Sequence, residues 1–65
     1  MLARRDIAKQ LGCKIYGRFV AFAVAGVPPR VMGIGPAFAI PAALENCGLK
    51  INDIDVFEIN EAFAS

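Results

Sequence analysis

Nine consecutive residues without a charge, Phe19-Val-Ala-Phe-Ala-Val-Ala-Gly-Val27, run directly into Pro28-Pro29. No other stretch restricts the fold of this chain so strongly. The run is much shorter than the roughly 20 residues that span a bilayer, so it has to be covered by protein. β-Branched and aromatic residues (Ile15, Tyr16, Phe19, Val20, Phe22, Val24) occupy both parities from Cys13 onward. Alternation is clear early, with Lys14, Tyr16 and Arg18 on one parity, and is then lost. That pattern predicts a long strand over 13–27 entering a sheet covered on both faces.

A chain of 65 residues has little with which to cover such a strand, since a domain of this size buries only about 60% of the surface its unfolded form exposes. Small scaffolds compensate with disulfides, a metal or oligomerisation. Here there are two cysteines and no histidine, and no cluster with metal-ligand spacing. The composition is 57% apolar and 20% charged, against roughly 45–50% and 25% in an ordinary globular protein. Both departures point to an interior piece of a larger α/β protein.

Charge excludes one class of partner. Seven Lys/Arg are interspersed with six Asp/Glu for a net charge of +1, which leaves no electrostatic footprint for nucleic acid. Arg4-Arg5 is the one local basic pair, and Asp6 with no Ser-rich continuation argues against a transit peptide. No membrane span is expected, and the protein is read as soluble. Cys13 and Cys47, without a repeated spacing, fit reduced thiols of an intracellular protein.

The remaining elements follow from periodicity and breakers. Ala3, Ile7, Ala8 and Leu11 recur at helical spacing and predict a short helix over 3–11, ended by Gly12. A second helix is expected over about 37–47, with Ala37, Ile40, Leu44 and Cys47 on one stripe, Pro36 in its first turn and Gly48 as its stop. Pro41 lacks the N–H that would reach residue 37, so a late start or a kink is expected. Asn52-Asp53 marks a turn, and Asp55 to Asn60 reads as a second strand leading into an incipient helix at Glu61. The expected order is thus helix, long strand, helix, strand, incipient helix, an α/β alternation joined by a crossover helix.

Few residues could carry chemistry. Gly33-Ile-Gly35 has the look of a phosphate-binding loop, but Pro36 removes a donor and the third glycine is missing, which favours a structural turn. Neither cysteine has a base in a chain without histidine, and both read as buried structural thiols. Asp53, Asp55, Glu58 and Glu61 read as solvated charges, a turn residue and a helix-start acid, with no metal site among them. Asn60 stays open between two readings. It could be a helix N-cap, accepting from the N–H of Ala62 or Phe63. It could instead offer its carboxamide N–H toward a developing oxyanion, directly or through water.

Val31-Met-Gly-Ile-Gly-Pro36, followed by Gly48-Leu49 and Ile54-Asp-Val-Phe-Glu-Ile-Asn-Glu-Ala-Phe-Ala-Ser65, resembles the thiolase family. The resemblance extends back through Val27-Pro-Pro29 to Leu2-Ala-Arg-Arg5 and covers essentially the whole chain. It implies that residues 1–65 are a fragment of a thiolase C-terminal domain, part of a layered α/β/α unit, closer to the degradative peroxisomal 3-ketoacyl-CoA branch. The implied reaction is thiolytic cleavage of a 3-ketoacyl-CoA to acetyl-CoA and a shortened acyl-CoA in fatty-acid β-oxidation. The parent would be a homodimer in the peroxisome, with no resident cofactor and coenzyme A entering as substrate.

The resemblance also assigns roles residue by residue. Asn60 matches the water-holding asparagine of the oxyanion hole, Ala62 and Phe63 match residues lining the acyl-CoA channel, and Met32 matches a methionine beside the same pocket. Neither Cys13 in Gly-Cys-Lys nor Cys47 in Cys-Gly-Leu matches the family's nucleophile or its Cys-x-Gly acid/base, and Gly-His-Pro is missing. The isolated chain is therefore expected to be inactive. An alternative role, from another class, is a non-catalytic module that docks on thiolase subunits through its apolar strand.

Overall fold

The computed structural model of the chain describes residues 1–63. Its regular elements are helix α1 (Arg5–Gln10), a 3-10 segment (Pro29–Ile34), helix α2 (Gly35–Cys47) and a 3-10 turn (Ile51–Asp53).

Helix α1 lies inside the stretch expected to be helical. Asp6 occupies its first turn and Lys9 its last, each complementing the helix dipole. Arg4 clamps Asp6 with two hydrogen bonds, Nε to Oδ1 at 3.2 Å and Nη2 to Oδ2 at 2.6 Å. The pair is largely exposed, so it contributes at most about 1 kcal/mol. Gly12 closes the helix at φ 66°. Its N–H donates to the Lys9 carbonyl at 3.1 Å while the Cys13 N–H donates to Ala8 at 2.9 Å, the paired bonds of a Schellman cap.

Helix α2 ends in the same way. Gly48 sits at φ 70°, its N–H donating to Glu45 at 3.2 Å and that of Leu49 to Leu44 at 3.0 Å. A Cβ on Gly48 would meet no atom within 4 Å, so backbone strain alone sets the cost of adding one. Gly48→Ala is expected to disfavour the cap by about 1–2 kcal/mol and to fray the last turn of α2, read as a fall in far-ultraviolet helical ellipticity.

Of the late start or kink expected for α2, the late start does not occur, and one member of its expected stripe is not packed. The helix does not start late: it begins at Gly35, with Pro36 in the first turn and Pro41 inside it. Proline at the start presets the helical φ, and Ala37, whose carbonyl loses its donor at Pro41, is exposed to water that can replace it. Of the expected stripe, Ile40, Leu44 and Cys47 are half-buried and only Ala37 is not. Pro36, Ala39, Ile40, Ala43, Leu44 and Cys47 are half-buried, whereas Ala37 is exposed. The stripe keeps its helical period with a different first member.

The expected α/β architecture is not what the chain adopts. Among the described residues there is no strand, and so no sheet, at 13–27 or at 55–60. A strand exists only through a ladder to a neighbour, and among the described residues no backbone–backbone hydrogen bond involves residues 14–27 or 55–62. The two stretches instead line one open groove, Ala21-Phe22-Ala23 on one side and Glu58-Ile59-Asn60 on the other. The incipient helix fails as well: Glu61 to Phe63 are not helical, and the expectation for Ala64 and Ser65 lies outside the described residues.

The period of a strand nevertheless persists in the exposure pattern. Ala21, Ala23, Ala25 and Val27 are half-buried while Phe22, Val24 and Gly26 are exposed, the alternation of an extended chain. Lys14 Nζ lies 4.8 Å from the ring centroid of Tyr16, two residues on. Asn46 of α2 ties this segment down by donating from Nδ2 to the Phe22 carbonyl at 3.2 Å.

Almost nothing in the structure is a core. Among the described residues Ala8 alone is buried. The chain exposes 6270 Å², where a folded protein of its mass of 6.9 kDa would expose about 4000 Å². Its radius of gyration of 15.7 Å compares with about 11 Å for a compact domain of this length. Phe19, Phe22 and Val24 are each at least 70% exposed.

Candidate functional site

The four residues singled out as a site come together. Met32, Asn60, Ala62 and Phe63 line one small cavity of about 200 Å³, with Gly33, Pro36 and Ile59 completing its wall. They reach it from two elements. Met32 is delivered by the 3-10 segment that Pro28 and Pro29 start, and Pro36 by the first turn of α2. Asn60, Ala62 and Phe63 come from the irregular segment after the Ile51–Asp53 turn. That turn is held by the Lys50 N–H donating to Asp53 Oδ2 at 2.8 Å and the Asp53 N–H donating to the Lys50 carbonyl at 2.9 Å. It reverses the chain after Leu49.

Asn60 also lines the larger groove of about 480 Å³, together with Glu58 and a row of small residues, Ala21, Ala23, Ala39 and Ala43. Pro36, Ile59 and Asn60 are common to both cavities and form the divide between them. The small cavity carries one side-chain amide among apolar groups. Such a setting suits a hydrogen-bond donor with an apolar portion of a ligand beside it.

Among the described residues the helix N-cap reading of Asn60 has no support: Glu61 to Phe63 are not helical, and its carboxamide makes no hydrogen bond. The amide is therefore exposed and uncommitted. Met32 and Phe63 are exposed by 54% and 63%, so the cavity is a shallow wall on one side of a space, not an enclosed pocket.

Neither thiol lines either cavity. The Cys47 Sγ–H is directed at its own helix, 3.4 Å from the Ala43 carbonyl and 3.3 Å from that of Leu44. Cys13, expected to be buried, is exposed, because the residues around it, Leu11 to Ile15, pack against nothing that shields it. Among the described residues no three His, Cys, Asp or Glu side chains converge in a way that could hold a metal ion, and no helix is long and apolar enough to cross a membrane.

Gly33, Pro36 and Ile59 were not expected in the site. Gly33 and Pro36 read from sequence as turn residues, and Ile59 as one apolar position of a strand. For Gly33 and Ile59, adjacency in sequence to Met32 and Asn60 is the one signal that could have included them; Pro36, four residues from Met32, had none.

Comparison with known proteins places the chain. Over all 65 residues it is 66% identical to the mouse protein named 3-ketoacyl-CoA thiolase B, peroxisomal, of which it covers 15%. It is 60% identical to the human 3-ketoacyl-CoA thiolase, peroxisomal, again covering 15%. With the Saccharomyces cerevisiae protein of that name the identity is 57% and the coverage 16%. The chain therefore spans less than a fifth of the length of these curated relatives. No solved structure matches it. The family described as "Thiolase, C-terminal domain" matches residues 13–65, and the chain belongs to the thiolase family.

Proposed function

We propose that this chain supplies one wall of the acyl-CoA site of a peroxisomal 3-ketoacyl-CoA thiolase, an acyltransferase of fatty-acid β-oxidation. The observation that carries the reading is the uncommitted Asn60 carboxamide in the cavity lined by Met32, Ala62 and Phe63. The names of the relatives that match the whole chain support the substrate class and the compartment.

In this reading Asn60 donates a hydrogen bond, directly or through a held water, to the thioester oxygen as it becomes an oxyanion. A donor aimed at charge that appears only in the transition state accelerates the chemical step without tightening ground-state binding. Met32, Ala62 and Phe63 keep bulk water off the reacting carbonyl and accept the acyl portion beside it. Coenzyme A takes part as a substrate and no further cofactor is required. The nucleophile, the acid/base thiol and the imidazole come from other parts of the complete homodimeric enzyme: this chain has no histidine, and neither Cys13 nor Cys47 reaches the cavity. The 65-residue chain alone is inert.

The test is a chimera in which this chain replaces the matched stretch of the Saccharomyces cerevisiae relative. Thiolysis is followed as loss of 3-ketoacyl-CoA and appearance of acetyl-CoA. The chimera should retain most of the parent's turnover, and the chain by itself should show none. A well-folded, dimeric chimera without turnover would sink the proposal.

A further inference from the structure

We propose that Gly33 is a specificity-determining residue of the acyl-CoA site, its missing side chain leaving room for the acyl portion of the substrate beside Asn60. The inference rests on the acyl-CoA reading of the small cavity and deepens it, by naming the wall position that sets how bulky an acyl group the cavity admits.

The backbone does not ask for glycine at position 33. Among the described residues, positive φ occurs only at Gly12 and Gly48. The Gly35 N–H donates to the Met32 carbonyl, closing a four-residue turn in which Ile34 sits at φ −86° and ψ 0°. Those angles belong to the third position of a type I turn, and the second position, here Gly33, accepts most residues.

Packing within the chain does not ask for glycine either. A Cβ on Gly33 would meet no described atom within 4 Å. A glycine that neither its turn nor an internal neighbour requires marks a place where something else approaches the backbone closely. Its position in the site points to the substrate. Gly33 lines the cavity of about 200 Å³ together with Asn60, whereas Gly35, equally open to an added Cβ, lines neither cavity.

The consequence is steric. The cavity is smaller than the roughly 300–1,000 Å³ of ordinary small-molecule pockets, so a single methyl group on its wall takes an appreciable share of the space. Gly33 adjoins Met32, which in the acyl-CoA reading receives the acyl portion. A side chain at position 33 therefore crowds the acyl chain and leaves the Asn60 donor in place.

The test uses the complete chimeric thiolase described above, with Gly33→Ala and, as the matched control from the same turn, Gly35→Ala. Separate kcat and KM are measured for the shortest 3-ketoacyl-CoA and for a long-chain one, with Tm and dimer state for each variant. Gly33→Ala is expected to lower kcat/KM for the long-chain substrate by about 10-fold or more, the scale of one methylene in an apolar substrate pocket. The loss should fall chiefly on KM, should be smaller for the shortest substrate, and should leave Tm and the dimer unchanged. Gly35→Ala should keep the parent's kcat/KM with both substrates. Unchanged kinetics in Gly33→Ala, equal losses on the two substrates, or a matching loss in Gly35→Ala would overturn the proposal. So would a lowered Tm or a broken dimer in Gly33→Ala, because the space would then belong to the rest of the protein. The acyl-CoA reading fails by a different result, near-normal turnover in Asn60→Ala.

Discussion

Asn60→Ala in a complete thiolase that carries this segment is expected to lower kcat by about two to three orders of magnitude, the effect of losing a donor worth about 2.7–4 kcal/mol to an oxyanion. The size of the loss follows from where the amide acts. In the ground state the thioester oxygen is a weak acceptor, so KM should change little. In the transition state the oxygen would carry nearly a full charge, and the proposed Asn60 donor would stabilise it there. Asn60→Asp should be at least as damaging, because a carboxylate presents acceptors and a negative charge where a donor is needed.

Stopped-flow turnover with separate kcat and KM, together with thermal unfolding of each variant, checks this expectation. Near-normal turnover in Asn60→Ala would remove the residue from the reaction. The variant is expected to melt where the parent does if the residue serves the reaction and not the fold. A loss of turnover that merely tracks a lowered Tm would mean a structural role instead.

The isolated chain should show no cooperative thermal transition. Folding stability is a small difference between burial and conformational entropy, and here the burial is missing. The chain exposes 6270 Å², which amounts to burying only about 37% of an unfolded chain's surface where a domain of this length buries about 60%. One buried residue, Ala8, cannot couple α1 to α2. Each helix is also short for independent stability, since isolated helices of fewer than about 12–15 residues are marginal in water. Ellipticity at the helical minimum should therefore decline gradually on heating, without a sigmoid and without a calorimetric peak. A sharp concentration-independent melt would show that the exposed surface overstates the openness of the chain.

Local features were legible because they depend on neighbours in sequence. Gly12 and Gly48 are the residues able to take φ near +70° without a Cβ penalty, one just after the Leu11 C-cap of α1 and one just after Cys47 at the end of α2. Pro36 in the first turn of α2, the reversal at Asn52-Asp53 and the helical spacing of Ile40, Leu44 and Cys47 are of the same kind. The grouping of Met32 with Asn60, Ala62 and Phe63 entered through resemblance to a family, because nothing in local pattern relates a turn at 31–36 to a segment at 60–63.

That the two expected strands stay unpaired was not legible, and the reason is general. Residues 13–27 have the composition and early alternation of a strand, and the extended period survives in the exposure of Phe22 and Val24. A strand, however, is a relation between two segments. The pattern of one chain states which residues would suit a ladder, and says nothing of whether a neighbour is within reach. The groove between residues 21–23 and 58–60 leaves both without one.

By itself, then, the sequence determined the helices, their caps, the turns and the family, all of which rest on short-range bonding or on residue identity. Only the tertiary structure decided that, among the described residues, the extended segments stay unpaired and Asn60 makes no capping bond, and that Cys13 lies in the open. Those outcomes depend on which surfaces meet, and a chain extended over 48 × 26 × 21 Å brings few surfaces together.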